Sequence, residues 1–106
     1  MSKGLKHDQG KPRWELVPYR AMKEVVKVLT HGAAKYDDHN WKHVEPFKER
    51  YFGATMRHLI DWWLGDEKDD DTDVSHLAHS ICCQLFMLEK KIIEEESDNE
   101  KIINLR

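Results

Sequence analysis

A chain of 106 residues with a formal net charge of −3 and a pI near 6.1 is sized for one domain around a single core, and it lacks the cationic excess of a protein that coats nucleic acid. No apolar run reaches the length of a membrane span, and the opening Met1-Ser2-Lys3-Gly4-Leu5 has no apolar segment of the secretory kind, so a cytoplasmic protein with no membrane partner and no stable nucleic-acid partner is expected. The two cysteines, Cys82 and Cys83, are adjacent in an apolar stretch, which disfavours a bridge between them and leaves two packed thiols.

Residues 1–16 mix Gly4, Gly10 and Pro12 with Lys3, Lys6, His7, Lys11 and Arg13 and show no helical periodicity; they read as a basic arm. Within it, Lys6-His7-Asp8-Gln9-Gly10-Lys11-Pro12-Arg13 sets a glycine among cations, so the backbone can approach a phosphate chain while Lys6 and Lys11 neutralise it. It is not a Walker loop, since the spacing and the Lys-Ser/Thr ending are missing. The alternative is a solvated basic tail.

Pro18 opens the first helix, whose apolar positions Ala21, Val25, Val28, Leu29 and Gly32 recur at helical spacing to about Tyr36. The turn that follows, through Asp37-Asp38-His39-Asn40-Trp41-Lys42, has the chemistry of a base site: Tyr36 and Trp41 to stack, Asn40 to read an edge, Lys35 or Lys42 to meet phosphates. A helix terminus with a core tryptophan is the competing reading. A second helix carries Tyr51, Phe52, Met56, Leu59, Ile60 and Trp63 and ends at Gly65.

Asp66, Glu67, Asp69, Asp70, Asp71 and Asp73 then crowd one loop, with Thr72 or Asp73 as the expected N-cap of a third helix. Asp69, Asp71 and Asp73 mimic the opening of an EF-hand, but Val74 stands where that loop needs glycine and Ser80 where it needs glutamate. A hydrated Mg2+ or Mn2+ held by two or three carboxylates fits the loop, with simple solvation as the alternative. Zinc-finger chemistry is excluded by the lack of spaced cysteines.

The third helix carries the stripe Leu77, Ile81, Leu85, Leu88 and Ile92, widened by Cys82, Phe86 and Ile93. Glu94 to Glu100 read as a solvated helix end or linker, and Ile102, Ile103 and Leu105 as residues that dock on a partner or fray. His58 and Asp61 on the second helix, and His76 and His79 on the third, share a three-residue spacing. An antiparallel pairing would turn these two dyads toward each other, as in metal-binding bundles. Each histidine alone has an ordinary reading as a hydrogen-bonded core or surface group, and Asp61 one as a salt bridge with Arg57 or Arg50.

No strand pattern competes, so the expected fold is all-α: a small bundle of three main helices with an extended N-terminal arm, divided as 1–16 arm, 17–93 helical core and 94–106 charged tail. Four tryptophans and broad apolar faces on so short a chain exceed what three helices bury, so a homodimer or higher homo-oligomer is expected.

In this order, Lys6 to Arg13 with Leu16 and Pro18, then Gly32-Ala33-Ala34-Lys35-Tyr36 with Asn40-Trp41, then Arg57-His58-Leu59 with Trp62, and Gly65 through His76-Leu77-Ala78-His79 resemble the small phage and bacterial dATP/dGTP diphosphohydrolase family, a relative of the MazG-type all-α nucleoside triphosphate pyrophosphohydrolases. The resemblance runs from about Leu5 to Glu89. It implies cleavage of a purine deoxynucleoside triphosphate, dATP or dGTP, between its α and β phosphates, helped by Mg2+ or Mn2+, in the host cytoplasm if the protein is phage-encoded.

On the matching positions the expected metal ligands are Asp66, Asp69 and Asp71. The expected catalytic groups are His76, His79 and His58, and the expected substrate contacts are Lys6, Asp8, Lys11, Lys35, Asn40, Trp41 and Arg57. The chain departs from the family pattern in having Gly65-Asp66-Glu67 where Gly-Glu is usual and Asp73 where glycine is usual. The paired-glutamate signature of the broader group is represented by His58/Asp61 and His76/His79. The alternative function is a nucleotide-binding protein that sequesters its ligand without hydrolysis; a purely structural helical assembly factor is a third class.

Overall fold

The computed structural model describes residues 3–104, so Met1, Ser2, Leu105 and Arg106 lie outside the described residues, and with them the choice between docking and fraying for Leu105. The architecture is all-α, with no strand among the described residues. Its helices are α1 (Tyr19–Lys35), α2 (Phe47–Trp63) and α3 (His76–Asn104), with short 3₁₀ turns at Trp14–Leu16 and Asn40–His43. None is long and apolar enough to cross a membrane.

Pro18 supplies the cap position of α1, its fixed φ of −69° leading into the first turn, and its carbonyl accepts from Met22 N–H at 3.1 Å. Helix α2 stops where expected. Gly65 takes a left-handed φ of 98°, its N–H reaches the Trp62 carbonyl at 3.1 Å, and the Asp66 N–H reaches the Asp61 carbonyl at 2.9 Å. This is the paired closure that a C-terminal glycine permits, and it carries the chain back toward the α2 residues it has just left.

The acidic loop folds on itself rather than leading straight into a helix. Lys68 and Ser75 form an isolated antiparallel bridge, flanked by Asp69 N–H to the Val74 carbonyl at 3.0 Å and His76 N–H to the Glu67 carbonyl at 3.1 Å. Asp69 Oδ2 accepts from the backbone N–H of Asp71 at 3.1 Å and of Thr72 at 3.0 Å, and Asp73 is left-handed at φ 58°. Thr72 and Asp73 are therefore consumed in the turn and cap nothing. The cap is Ser75, whose Oγ accepts from Leu77 N–H at 3.1 Å.

Val25 and Val28 of α1, Val74 of the loop, and Ala78 and Cys82 of α3 form the core, with Leu29 and Phe86 packed at its edge. The stripe read as α3's apolar face points elsewhere: Leu77, Ile81, Leu85, Leu88 and Ile92 are all exposed, because the residues facing α1 and α2 lie on the other side of the helix. Beyond Ile93 the helix continues without a break through the acidic stretch to Asn104, which settles that segment as helix rather than linker.

Candidate metal and nucleotide site

Helices α2 and α3 bring the two predicted dyads together. His58 Nδ1 and His76 Nδ1 are 2.9 Å apart, so one nitrogen donates and the other accepts. The His58 ring also stacks on His79, with centroids 4.6 Å apart and planes within 16°. Burial holds the His58 pKa below its ordinary value, and the neighbouring His79 and His76 push the same way.

His76 is the centre of the cluster and is 4% exposed. Its Nε2 lies 3.2 Å from Asp66 Oδ2, yet the two are out of line for a hydrogen bond and the buried nitrogen has no partner. Two triads share this residue: His58, Asp69 and His76, and Asp61, Asp66 and His76, each with donor atoms mutually within 4.8 Å. Mixed imidazole and carboxylate donors suit a divalent first-row ion, and the 2.9 Å between the two Nδ1 atoms matches the roughly 3 Å between adjacent ligands placed about 2.1 Å from one ion. The orphaned Nε2 and this spacing fit a cation.

One turn further along α3, His79 Nε2 meets Thr72 Oγ1 at 2.6 Å, and the same hydroxyl donates to Asp69 Oδ2 at 3.2 Å. Burial raises the tendency of Asp69 to hold a proton, but the hydrogen bonds from Thr72 and the nearby His79 outweigh it, so its pKa falls below the ordinary value. Asp69 is thus an ionised acceptor that claims the Thr72 hydroxyl proton. His79 Nε2 must then carry the N–H, and its Nδ1 keeps a free lone pair. Burial likewise lowers the His79 pKa, against the opposing pull of Asp69.

A cleft of about 1010 Å³ opens beside this cluster, lined among others by Tyr36, Asn40, Trp41, Arg57, Phe86 and His79. The aromatic turn at Asn40 and Trp41 and the histidine–carboxylate cluster therefore meet at His79. Trp41 stacks on Phe86, with centroids 4.9 Å apart and planes within 10°, and Tyr51 meets Phe86 edge-on at 5.5 Å, so an aromatic wall backs the cleft. His39, left-handed at φ 60°, turns the chain so that Asn40 and Trp41 face it.

Other predicted residues sit apart from this centre. Asp71 is exposed and pairs with Lys35 Nζ at 3.5 Å; neither lines the cleft, and Asp71 is in neither triad. The charge of Tyr36 and then Asp71 raises the Lys35 pKa. Lys6, Asp8 and Lys11 are exposed in an arm that turns at Gly10, φ 80°, where Lys11 N–H reaches the Asp8 carbonyl at 3.2 Å. In the sequence Thr72 is one of two candidate helix caps and Phe86 part of the apolar face of α3; their contacts to His79 and Trp41 depend on packing between elements distant in sequence.

A family model described as dATP/dGTP diphosphohydrolase, N-terminal, matches residues 1–100. A dATP/dGTP diphosphohydrolase of Salmonella phage PMBT28 is 34% identical over 84 residues, which cover 79% of this chain and 28% of that relative. The chain thus spans under a third of the length of the relative it matches. No solved structure matches. With three of its four sequence segments gathered around one cleft and one histidine–carboxylate cluster and the N-terminal arm apart from them, the chain belongs to the dATP/dGTP diphosphohydrolase N-terminal family.

Proposed function

We propose that this domain hydrolyses a purine deoxynucleoside triphosphate, dATP or dGTP, to the monophosphate and pyrophosphate. The single observation that carries the reading is the junction at His79, where an aromatic cleft with a hydrogen-bonding amide adjoins a cluster of histidines and carboxylates fit for a divalent ion. The name of the phage relative supports the reaction class.

His58, Asp69 and His76, with Asp61 and Asp66 on the other edge of His76, would hold Mg2+ or Mn2+. Bound there, the ion supplies charge neutralisation of the triphosphate and polarisation at the phosphorus under attack. His79 takes the proton of the attacking water on Nδ1, since its Nε2 proton is committed to Thr72. Arg57, on the cleft wall, neutralises phosphate oxygens as a fixed fork of donors. Tyr36 and Trp41 flank the base and Asn40 reads its edge. Lys35, and Lys6 and Lys11 on the arm, sit apart from this centre and would add cationic charge for the phosphates from its surroundings.

Incubating the chain with each common dNTP and NTP, with Mg2+ or Mn2+ and with chelator as control, and separating products by ion exchange, tests this directly. Release of dAMP or dGMP with equimolar pyrophosphate, abolished by chelator, is expected. Nucleotide recovered intact after long incubation with metal would overturn hydrolysis in favour of a sequestering protein.

A further inference from the structure

Of the five glycines, Gly53 alone has a neighbour on the spot where a side chain of its own would begin. A Cβ there would lie 3.0 Å from Nη1 of Arg57 and 3.9 Å from its Cζ, the first well inside the ordinary contact distance of about 3.5–4.0 Å. Gly53 stands within α2 and has no positive φ, so no turn or left-handed backbone calls for glycine. Inside a helix, glycine is less stable than alanine. What the missing side chain supplies is room.

Helix geometry explains why Arg57 takes that room. A long side chain on a helix leans toward the N-terminus and covers the turn before its own Cα. Arg57 therefore lies over the residues three and four positions before it, Ala54 and Gly53, the two smallest in α2. Ala54 and Arg57 both line the cleft, as does Arg50 one turn before Ala54. The two arginines differ in how they are held. Arg50 Nη1 donates to the Glu45 carbonyl at 3.2 Å, whereas Arg57 has no hydrogen-bond or ion-pair partner among the described residues. Its charge is felt at the Cys83 thiol, where it opposes the effect of burial, and Cys83 also lines the cleft. The Arg57 donors are thus free for a ligand, and contact with the bare backbone at Gly53, not a hydrogen bond, sets where they stand.

We propose that Gly53 is a positioning residue: by having no side chain it lets the Arg57 guanidinium lie back along α2 at the cleft, where its fork of donors meets the phosphate oxygens of the nucleotide. The inference rests on the reading of the cleft as a nucleotide site and adds to it a residue that itself touches no ligand.

Calorimetry with Mg2+ and the α,β-methylene analogues of dATP and dGTP, which cannot be cut between those phosphates, reads affinity without turnover. Arg57→Ala is expected to weaken binding about 10–100-fold, as the loss of charge-assisted hydrogen bonds does. Gly53→Ala is expected to weaken it about tenfold, because the new methyl group displaces the guanidinium from its seat. The same variant should melt about 2–8 °C higher, since the helix gains an alanine and the exposed arginine moves aside into water. Affinity and stability then change in opposite directions, which a glycine needed only for packing would not produce. In the Arg57→Ala background, Gly53→Ala should leave affinity unchanged and still raise the melting temperature.

Undiminished affinity in Gly53→Ala, beside the expected loss in Arg57→Ala, would overturn the role of Gly53 and leave the nucleotide site standing. An equal loss from Gly53→Ala with and without Arg57 would also overturn it, since the glycine would then act on something else. If the unaltered chain bound neither analogue, the nucleotide reading would fall and the assignment of Gly53 with it.

Discussion

Thr72 Oγ1 lies 2.6 Å from His79 Nε2 and 3.2 Å from Asp69 Oδ2, so one hydroxyl joins a residue of the cleft to a residue of a candidate metal-binding triad. The loop delivers it there because Asp69 Oδ2 also ties down the Asp71 and Thr72 amides. The carboxylate that shapes the turn is thereby the one that orients the imidazole.

Thr72→Val keeps the shape of the side chain and removes the hydroxyl. With nothing to hold its Nε2 proton, His79 loses its fixed tautomer, and kcat for dNTP hydrolysis is expected to fall about 10–100-fold with KM little changed. Thr72→Ser retains the hydroxyl and should recover most of the rate in the same steady-state assay. Equal rates for all three proteins would show that the contact plays no part in turnover.

His76 belongs to both triads, so one substitution disables both. Mn2+ at about 100 times its dissociation constant should stabilise the chain by about 2.7 kcal/mol against urea, and the effect should vanish in His76→Gln. Undiminished stabilisation of that variant would place the ion elsewhere.

Without metal, stability should fall in two steps on acidification. His58 and His79 have native pKa values below the ordinary 6.5. Below about pH 6.5 the unfolded chain therefore binds protons that the native chain refuses, and stability drops as pH falls through that window and is full above it. Asp69 has a native pKa below the ordinary 3.8; its contribution is full above that value and is lost as pH falls further, through its native pKa. Urea midpoints measured across pH with chelator present should show both steps, and His58→Asn with His79→Asn should flatten the first and shrink the second, since His79 helps to hold the Asp69 pKa down.

Burial, then the adjacent Cys83, pushes the Cys82 thiol up to about 12, and burial raises Cys83 as well. Neither forms appreciable thiolate at neutral pH, so both should resist iodoacetamide in the folded chain and react fully once urea exposes them. Mass spectrometry after timed alkylation counts the labels; rapid labelling of the native protein would contradict this burial.

Much of the site was legible before folding. The three-residue spacing of His58/Asp61 and of His76/His79 places each pair on one helix face, and an antiparallel helix pair brings His58 onto His76 and His79. Gly65 ends α2 as glycine should. Asp69 and Asp71 were indistinguishable as candidate ligands, because alternate residues in a loop have no fixed direction until the loop closes. The Asp69 turn separates the two, sending Asp69 toward His79 and leaving Asp71 to Lys35.

Periodicity and capping chemistry determined the three helices, their order and the two dyads, because these depend on contacts within a few residues along the chain. Tertiary structure alone decided which side of α3 is inside, that Ser75 rather than Thr72 caps it, and that Thr72 bridges Asp69 to His79. Periodicity gives an angle about a helix axis but not the neighbour at that angle. On α3, α1 and α2 occupy the sides that bear Cys82 and His76, and the most regular apolar stripe in the sequence faces outward.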